Sequence, residues 1–500
     1  MKVVFRFLLI FSSLLLIKVQ GQEMLGIQNS NYAGVLGIRL NPSSMHSSKL
    51  YMDYNLFSIN SSLGNDYVFI GAQELRDLVF RKEGPIYYTS EGEGRSFSIY
   101  RNDDLKYGNI GFVVSGPGAM VVYGKHAFGI STAMRSFTSF TNLPPDMAEF
   151  LYEAIDFDKQ HNIRYTHDKP IRMGSLSWTE LDFSYAYNFR RKKWDYWSVG
   201  ISVKPLFGMA GVFSNINKLD YEVFNDSSAS IYNANFDYGY SVPINSSTNE
   251  YLGSPLTQGF GFGVDIGMTY QFTTKGHGNG IFHHLCEQVY DDYNYKVGVS
   301  LLDLGYIKFS KGAELRNYED VSTYWYKPYD TIQANSISSL NDKVDSFFSD
   351  YPGQNIVDNE ITMQTPPALS IQFDYHYKRF VYFNSTLIYG FTLGRAYIKR
   401  ASVWAFTPRY ESARMELSMP ISIYEWDWAQ PRLGLAFRYG NFFLGFDRLN
   451  SLLGWSDFTG FDFYFGLRLN LSRNLRMNYL KGNCRQFKDY NIETFDFRNF

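Results

Sequence analysis

Leu181, Phe183, Tyr185, Tyr187 and Phe189 alternate with Asp182, Ser184, Ala186, Asn188 and Arg190. Further along, Phe260, Phe262, Val264, Ile266, Met268, Tyr270 and Phe272 alternate with Gly261, Gly263, Asp265, Gly267, Thr269 and Gln271. Successive side chains of a strand point to opposite faces, so each segment carries one apolar wall and one polar wall. Strand-like runs of this kind recur near 51–60, 108–115, 119–123, 127–137, 175–190, 196–213, 231–240, 259–272 and 295–309. They continue near 316–326, 362–378, 381–391, 402–410, 415–424, 432–439, 442–446 and 461–471. The pattern predicts an all-β fold, a transmembrane antiparallel β-barrel with lipid outside and a polar interior. A spanning strand needs ~9–11 residues, and bacterial single-chain barrels have even strand numbers. Some of these runs must therefore be loop hairpins, and the expectation is about 14 spanning strands, within 12–16.

Local signals divide the barrel into strands and loops. Tyr439-Gly440-Asn441-Phe442 and Tyr123-Gly124-Lys125-His126 each join two alternating runs as tight hairpins. Arg190, Arg191, Lys192 and Lys193 form a basic turn beside Trp194, Tyr196 and Trp197, which reads as a solvated turn with interfacial aromatics. Two segments have helical spacing instead. One follows Pro144-Pro145, with Met147, Phe150, Leu151, Ala154 and Ile155 on one face; the other carries Leu340, Val344, Phe347 and Phe348, with Ser339 and Asp342 resembling a capping box. Both are expected as short amphipathic helices in loops.

The N-terminus changes the picture further. Lys2 and Arg6 precede an apolar run, Phe7 to Ile17, and Val19-Gln20-Gly21 suits a signal peptidase, so cleavage is expected before Gln22. The expected layout is a signal peptide at 1–21 and a plug-like or periplasmic segment at 22–48. The barrel would occupy 49–471, followed by a short tail at 472–500. No later run approaches the roughly 18–20 apolar residues of a membrane helix. The mean hydropathy of -0.26 is compatible with a barrel, because half of each strand is polar. With 40 Tyr, 43 Phe and 8 Trp, aromatics make up 18% of the chain, as aromatic girdles and lipid-facing walls require. A formal charge of -2 supplies no basic field for nucleic acid, so no nucleic-acid partner is expected. Two cysteines, Cys286 and Cys484, make no disulfide scaffold.

Asn31-Tyr32-Ala33-Gly34-Val35, then Leu40-Asn41-Pro42-Ser43-Ser44, and then Asp53, Asn55, Leu56, Phe57 and Asn60 resemble the start of a family of Bacteroidota outer-membrane β-barrels of undefined activity. Gly116-Pro117-Gly118-Ala119-Met120, Arg135 and the stretch from Leu143 to Ala154 resemble its later turn, arginine-bearing strand and loop helix. The resemblance covers the mature chain to about Leu471. It implies a cell outer-membrane location in a Gram-negative bacterium, with outer-membrane lipid and the barrel-assembly machinery as partners. Many relatives continue into a peptidoglycan-binding OmpA-like domain, which is not carried over to the tail here. The Asn-Pro motif and Ser300-Leu301-Leu302-Asp303-Leu304-Gly305 are similar to features of fatty-acid-transporter-like barrels, a weaker likeness that implies a small hydrophobic ligand.

Candidate chemistry is sparse. No catalytic motif stands out, so no enzyme activity and no cofactor are expected. His277, His283, His284, Cys286, Glu287, Asp291 and Asp292 hold metal-ligand residue types, but their spacing matches no defined site and a polar loop is the expectation. Alternation places Asp182, Asp265, Asp374, His376, Arg414, Glu416, Arg432, Arg438, Asp462 and Arg468 on inward faces, because charges facing lipid cost roughly 2–4 kcal/mol at the midplane for Arg or Lys. Mixed signs point to an interior network and an obstructed lumen rather than a charge-selective pore. Two functions remain open. One is gated binding or passage of a small, hydrophobic molecule; the other is a non-transport role as envelope scaffold or secretion-complex partner.

Overall fold

The structure, a computed structural model, describes residues 23–80, 97–155, 157–253, 256–277, 293–326, 336–349, 353–394 and 398–472. The expected signal peptide, the His/Cys/acidic cluster beyond His277, both cysteines and the tail beyond 472 lie outside them. No described helix is long and apolar enough to cross a membrane.

Fourteen antiparallel strands close into a barrel. The wall runs through Leu50–Asn65, Lys106–Tyr123, His126–Leu143 and the long ribbon Ile171–Asn225, which supplies two strands. It continues through Gly259–His277, Tyr295–Phe309, the interrupted pair Ile361–Gln364 and Ala368–Lys378, Val381–Gly390 and Val403–Glu411. Met415–Ser418 with Ile421–Tyr424, Arg432–Leu433 with Leu435–Tyr439, Phe442–Phe446 and Gly460–Ser472 complete it. Closure comes from the first strand, which pairs with Gly460–Ser472 on one side and with Lys106–Tyr123 on the other.

The alternating pattern explains which face is which. Phe183, Phe262, Ile266, Leu301, Phe373 and Phe437 stand exposed on the outside, whereas Asp182, Asp265, Ser300, Asp374 and Arg438 are buried within. A continuous apolar outer surface of this extent fits lipid rather than water. Three departures from simple alternation explain why more runs were expected than span. The runs at 108–115 and 119–123 are one strand with a bulge between Ser115 and Gly118. The run near 231–240 belongs to Ser228–Ser241, and that near 316–326 to Ala313–Tyr326; these pair with each other, and Ser228–Ser241 pairs also with residues 211–225, as a β-ribbon extending past the rim.

One end of the barrel has tight turns at 123–126 and 439–442, where Gly124 and Gly440 take φ of 60° and 55°. The other end carries the long connections. Pro145–Glu153 is helical as expected, and its Asp146 accepts a hydrogen bond from Tyr221 and meets His167 Nε2 at 2.9 Å, fastening the helix to the ribbon. The second expected helix starts earlier than its residue spacing suggested. It spans Ile337–Phe348, and Ser336, not Ser339, is its N-cap, with Ser339 as the reciprocal partner in the capping box. Both residues are hydroxylic, so either could serve.

Candidate functional site: the filled lumen

Residues 23–49 fold inside the barrel as turns and two short helices, Val35–Ile38 and Ser44–Ser47, almost entirely buried. Irregular backbone at this depth needs internal partners, and the wall supplies them. Leu25 N–H donates to Asp447 Oδ2 at 3.2 Å and Gly26 N–H to Tyr464 Oη at 3.1 Å. Ser30 Oγ donates to Glu416 at 2.7 Å, and Val35 N–H to Asp53 Oδ2 at 2.8 Å. Apolar residues share the work: Met24, Ile27 and Leu36 pack with wall residues Ala436, Phe443 and Tyr464.

The motif Asn41-Pro42-Ser43 docks on a bare patch of wall. Gly200 and Gly267 are direct cross-strand partners, and Gly298 lies opposite Thr269 on the next strand. A Cβ on Gly200 would sit 2.4 Å from Ser43 N, and one on Gly267 2.1 Å from Asn41 Oδ1. Glycine therefore allows the close approach of a second backbone. Asn41 Nδ2 then donates to Gln372 Oε1 at 3.0 Å, while Ser43 Oγ lies 2.6 Å from Thr269 Oγ1 and Leu40 O accepts from Ser300 Oγ at 2.6 Å. A cavity of about 20 Å³, room for about one water, remains between Asn29, Leu40, Asn41, Thr269, Lys296 and Gln372.

Buried charges form four groups inside the barrel, and the first two join plug to wall. Asp303 is the hub of the first: it receives Arg135 at 2.7 and 2.8 Å, Lys204 at 2.9 Å and Arg400 at 3.0 Å. Lys204 also meets Asp265 at 2.6 Å, Arg400 binds Glu23 of the plug, and plug residue Arg39 approaches Glu180 and Asp182 at 3.5 and 3.9 Å. In the second group Arg409 joins Asp374 and Glu411 at 2.9 Å each, and Lys49 binds Glu411 at 3.0 Å. The third pairs Arg438 with Glu416 at 3.0 Å and Arg468 with Asp53 at 3.7 Å. Arg448 with Asp462, at 2.8 Å, anchors the fourth, beside Arg432.

Among the residues expected inside, Asp182, Asp265, Asp374, Glu416, Arg438, Asp462 and Arg468 are buried in these groups. Arg432 is half-buried near the long-loop end, and His376 is half-buried near the tight turns, its ring stacked on Tyr382. Arg414 is placed differently: it is exposed on the turn between Val403–Glu411 and Met415–Ser418, one residue beyond the strand that alternation extended to it. Asp303, Lys204, Arg400, Arg409, Glu411 and Arg448 lie in the same groups and are not among the residues expected inside. Lys204 and Arg409 sit in phase with inward residues of their own strands, so alternation alone could have found them.

Asp303 could not be found that way. Its backbone has φ of 53°, and the register with Gly259–His277 shifts between Leu301 and Leu304. Opposite it the ladder of the next strand breaks at Thr365-Pro366-Pro367, where prolines have no N–H to donate. The extra residue of a bulge re-aims a side chain, turning inward a carboxylate that strict alternation assigns to lipid.

Closed barrel, apolar outer wall and a lumen occupied by the chain's own N-terminal segment together define a plugged β-barrel of the membrane-spanning class. Residues 42–447 match the family of unknown function DUF5723, and the chain belongs to that family. No curated protein matches it. Similar solved structures include the TodX deltaS2S3 mutant monoaromatic hydrocarbon channel (8% identity, 91% of this chain and 100% of that one, TM-score 0.43). The CymD monoaromatic hydrocarbon channel (9%, 88% and 93%, 0.30) and the translocator domain of autotransporter NalP from Neisseria meningitidis (8%, 83% and 88%, 0.28) are also similar.

Proposed function

We propose that the protein is an outer-membrane barrel that binds or passes a small molecule under the control of its N-terminal segment, which closes the lumen at rest. The observation that carries this reading is the mode of attachment of residues 23–49. Both ends of the plug are tied by charge: Glu23 to Arg400, and Lys49 to Glu411. Polar ties of this kind can be exchanged for water when a segment moves, while the apolar contacts of Met24, Ile27 and Leu36 with the wall hold the segment at rest. The glycine cradle around Asn41-Pro42-Ser43 would hold the middle of the segment in place. The orientation follows the usual barrel arrangement, with tight turns on the periplasmic side and long loops outside.

Conductance in planar bilayers tests the reading. The intact protein should show little steady current, and deletion of residues 24–47 should open stable channels. Large ohmic channels from the intact protein would overturn it. A second reading, an envelope scaffold without transport, is favoured by the ordered rim. There Asp345 of the helix Ile337–Phe348 binds Arg316 and Tyr318 of the β-ribbon at 2.7 Å each. Unchanged impermeability after the deletion, in a folded barrel, would favour that alternative.

A further inference from the structure

Most buried cations of the lumen have a carboxylate partner. Arg432 does not: among the described residues no carboxylate lies within ion-pair distance of it. Its guanidinium instead lies over the Tyr424 ring, 3.5 Å from the centroid, and Arg448 approaches the same ring at 5.5 Å. Two cations thus meet at one aromatic ring, although only one acid, Asp462, is paired with either of them.

The surrounding atoms are arranged to keep these groups in place and leave donors over. Gly64 and Gly460 are cross-strand partners, and a Cβ on either would come within 2.5–2.6 Å of the Arg448 guanidinium, so the pair forms a slot for it. Arg448 is 1% exposed. Arg432 pairs in register with Ser422 on the neighbouring strand. Nη1 of Arg432, Nη1 and Nε of Arg448 and Oγ of Ser422 are buried without a hydrogen-bond partner, and so is the one acceptor beside them, Oδ2 of Asp462, which lies 2.8 Å from Arg448 Nε as an ion pair. Buried donors without a partner call for a specific explanation. Those of Arg432 and Arg448 belong to guanidiniums that meet at the Tyr424 ring, and Ser422 is the register partner of Arg432, so donors outnumber acceptors at this place.

We propose that Arg432, Arg448 and Ser422 form a binding site at the long-loop end of the lumen for an oxyanion group, a carboxylate or a phosphate. The forked guanidinium geometry matches such groups, and an Arg already held against an aromatic ring loses little freedom when it binds one. The site deepens the transport reading by naming the chemical class of the small molecule. Its existence does not depend on movement of the plug.

The test is calorimetric titration of the full-length, detergent-solubilised protein, in buffer free of other oxyanions, with inorganic phosphate and separately with hexanoate. At least one should bind saturably, and which of them binds distinguishes the phosphate source from the carboxylate source. Arg432→Gln should weaken binding at least tenfold, and Arg432→Lys should do so less, because it keeps charge but loses the fork. Arg432 is half-buried and unpaired, so both variants should retain the heat-modifiable mobility of a folded barrel on gels. Should Arg432→Gln fail to fold, Ser422→Ala, which removes one donor, should still weaken binding severalfold. Absence of binding by both anions, or equal affinity in the folded variants, would overturn the proposal. Continued impermeability of the folded deletion variant, with intact oxyanion binding in the full-length protein, would remove the transport reading and leave this site standing.

Discussion

Arg135 and Asp303, 168 residues apart, meet as a bidentate pair inside the barrel, Nη1 to Oδ1 at 2.7 Å and Nη2 to Oδ2 at 2.8 Å. The same carboxylate serves Lys204 and Arg400, and Arg400 in turn holds Glu23 of the plug. One side chain, re-aimed by a bulge, therefore couples three wall regions to the segment that fills the lumen.

Asp303→Asn should consequently destabilise the barrel. It removes the carboxylate that three buried cations share and leaves Arg135 with Glu180, Lys204 with Asp265 and Arg400 with Glu23, so the loss should approach but not exceed the about 3–5 kcal/mol of a buried pair broken from one side. Urea unfolding in micelles, or loss of heat-modifiable migration on gels, would show it. Asp358→Asn, at an exposed rim position, should stay within about 0.5 kcal/mol of the parent. Equal stability of the two variants would mean that the hub is not structural.

The glycine cradle gives a graded test. Gly200→Ala places a methyl group against backbone atoms of Pro42 and Ser43, at 2.4–2.8 Å, where nothing flexible can yield. Gly263→Ala on a nearby inward position meets only Leu206 and Lys204 side-chain atoms at 3.5 Å or more. The first variant should fold as a barrel but expose residues 23–49 to protease and raise conductance; the second should behave as the parent. If both resist protease equally, the cradle does not position the plug.

Much of this architecture is legible from residue order alone. Period-two alternation located the wall strands and assigned Asp182, Asp265, Asp374 and Arg438 to the interior, because a strand flanked by lipid and a polar lumen must alternate. The same rule fails wherever the backbone departs from the pleat. Asp303 sits on a bulge, and Arg414 lies past the end of its strand on a turn. Nor does periodicity reveal where strands rise beyond the membrane, since the ribbon residues Tyr238 and Tyr318 stack on one another as wall residues do. The partners of the plug were illegible for a different reason: contacts such as Asn41 with Gln372 join distant parts of the chain and leave no local trace.

Facing can be tested at Ile266, which is 50% exposed on the outer surface. Ile266→Arg should cost roughly 2–4 kcal/mol if the residue lies near the bilayer midplane, read as reduced folding into vesicles. Thr269 is the inward neighbour that alternation offers as a tolerant control, but it is in hydrogen-bond contact with Asn41 and Ser43. Thr269→Arg would strike the plug, so Ile266→Leu is the proper control and should fold normally. Equal folding of Ile266→Arg and Ile266→Leu would reject the outward assignment.

Two acids at the long-loop end should give opposite pH dependences. Burial raises the Asp66 pKa to about 6, against the opposing pull of the Tyr107 N–H at 2.8 Å and the Lys106 charge. In Asp345, burial is outweighed by the Gly353 N–H, Arg316 and Tyr318, and its carboxyl is held below the usual range. For Asp66 the folded state keeps a proton that the unfolded state has already lost, so stability falls as pH rises from about 4, the ordinary Asp value, to about 6, and is level above. For Asp345 the folded state loses its proton first, so its stabilising contribution is present above the ordinary range and disappears as pH falls through the folded value. Hydrogen exchange of the short strand Val68–Phe69, which follows Asp66 directly, should therefore accelerate between pH 4 and 6 beyond the intrinsic rate change, and Asp66→Asn should abolish that acceleration. In the helix Ile337–Phe348, protection should instead be lost on acidification, and Asp345→Asn should weaken it at neutral pH already. A parent-like pH profile in Asp66→Asn would show that burial of this carboxyl does not govern the rim.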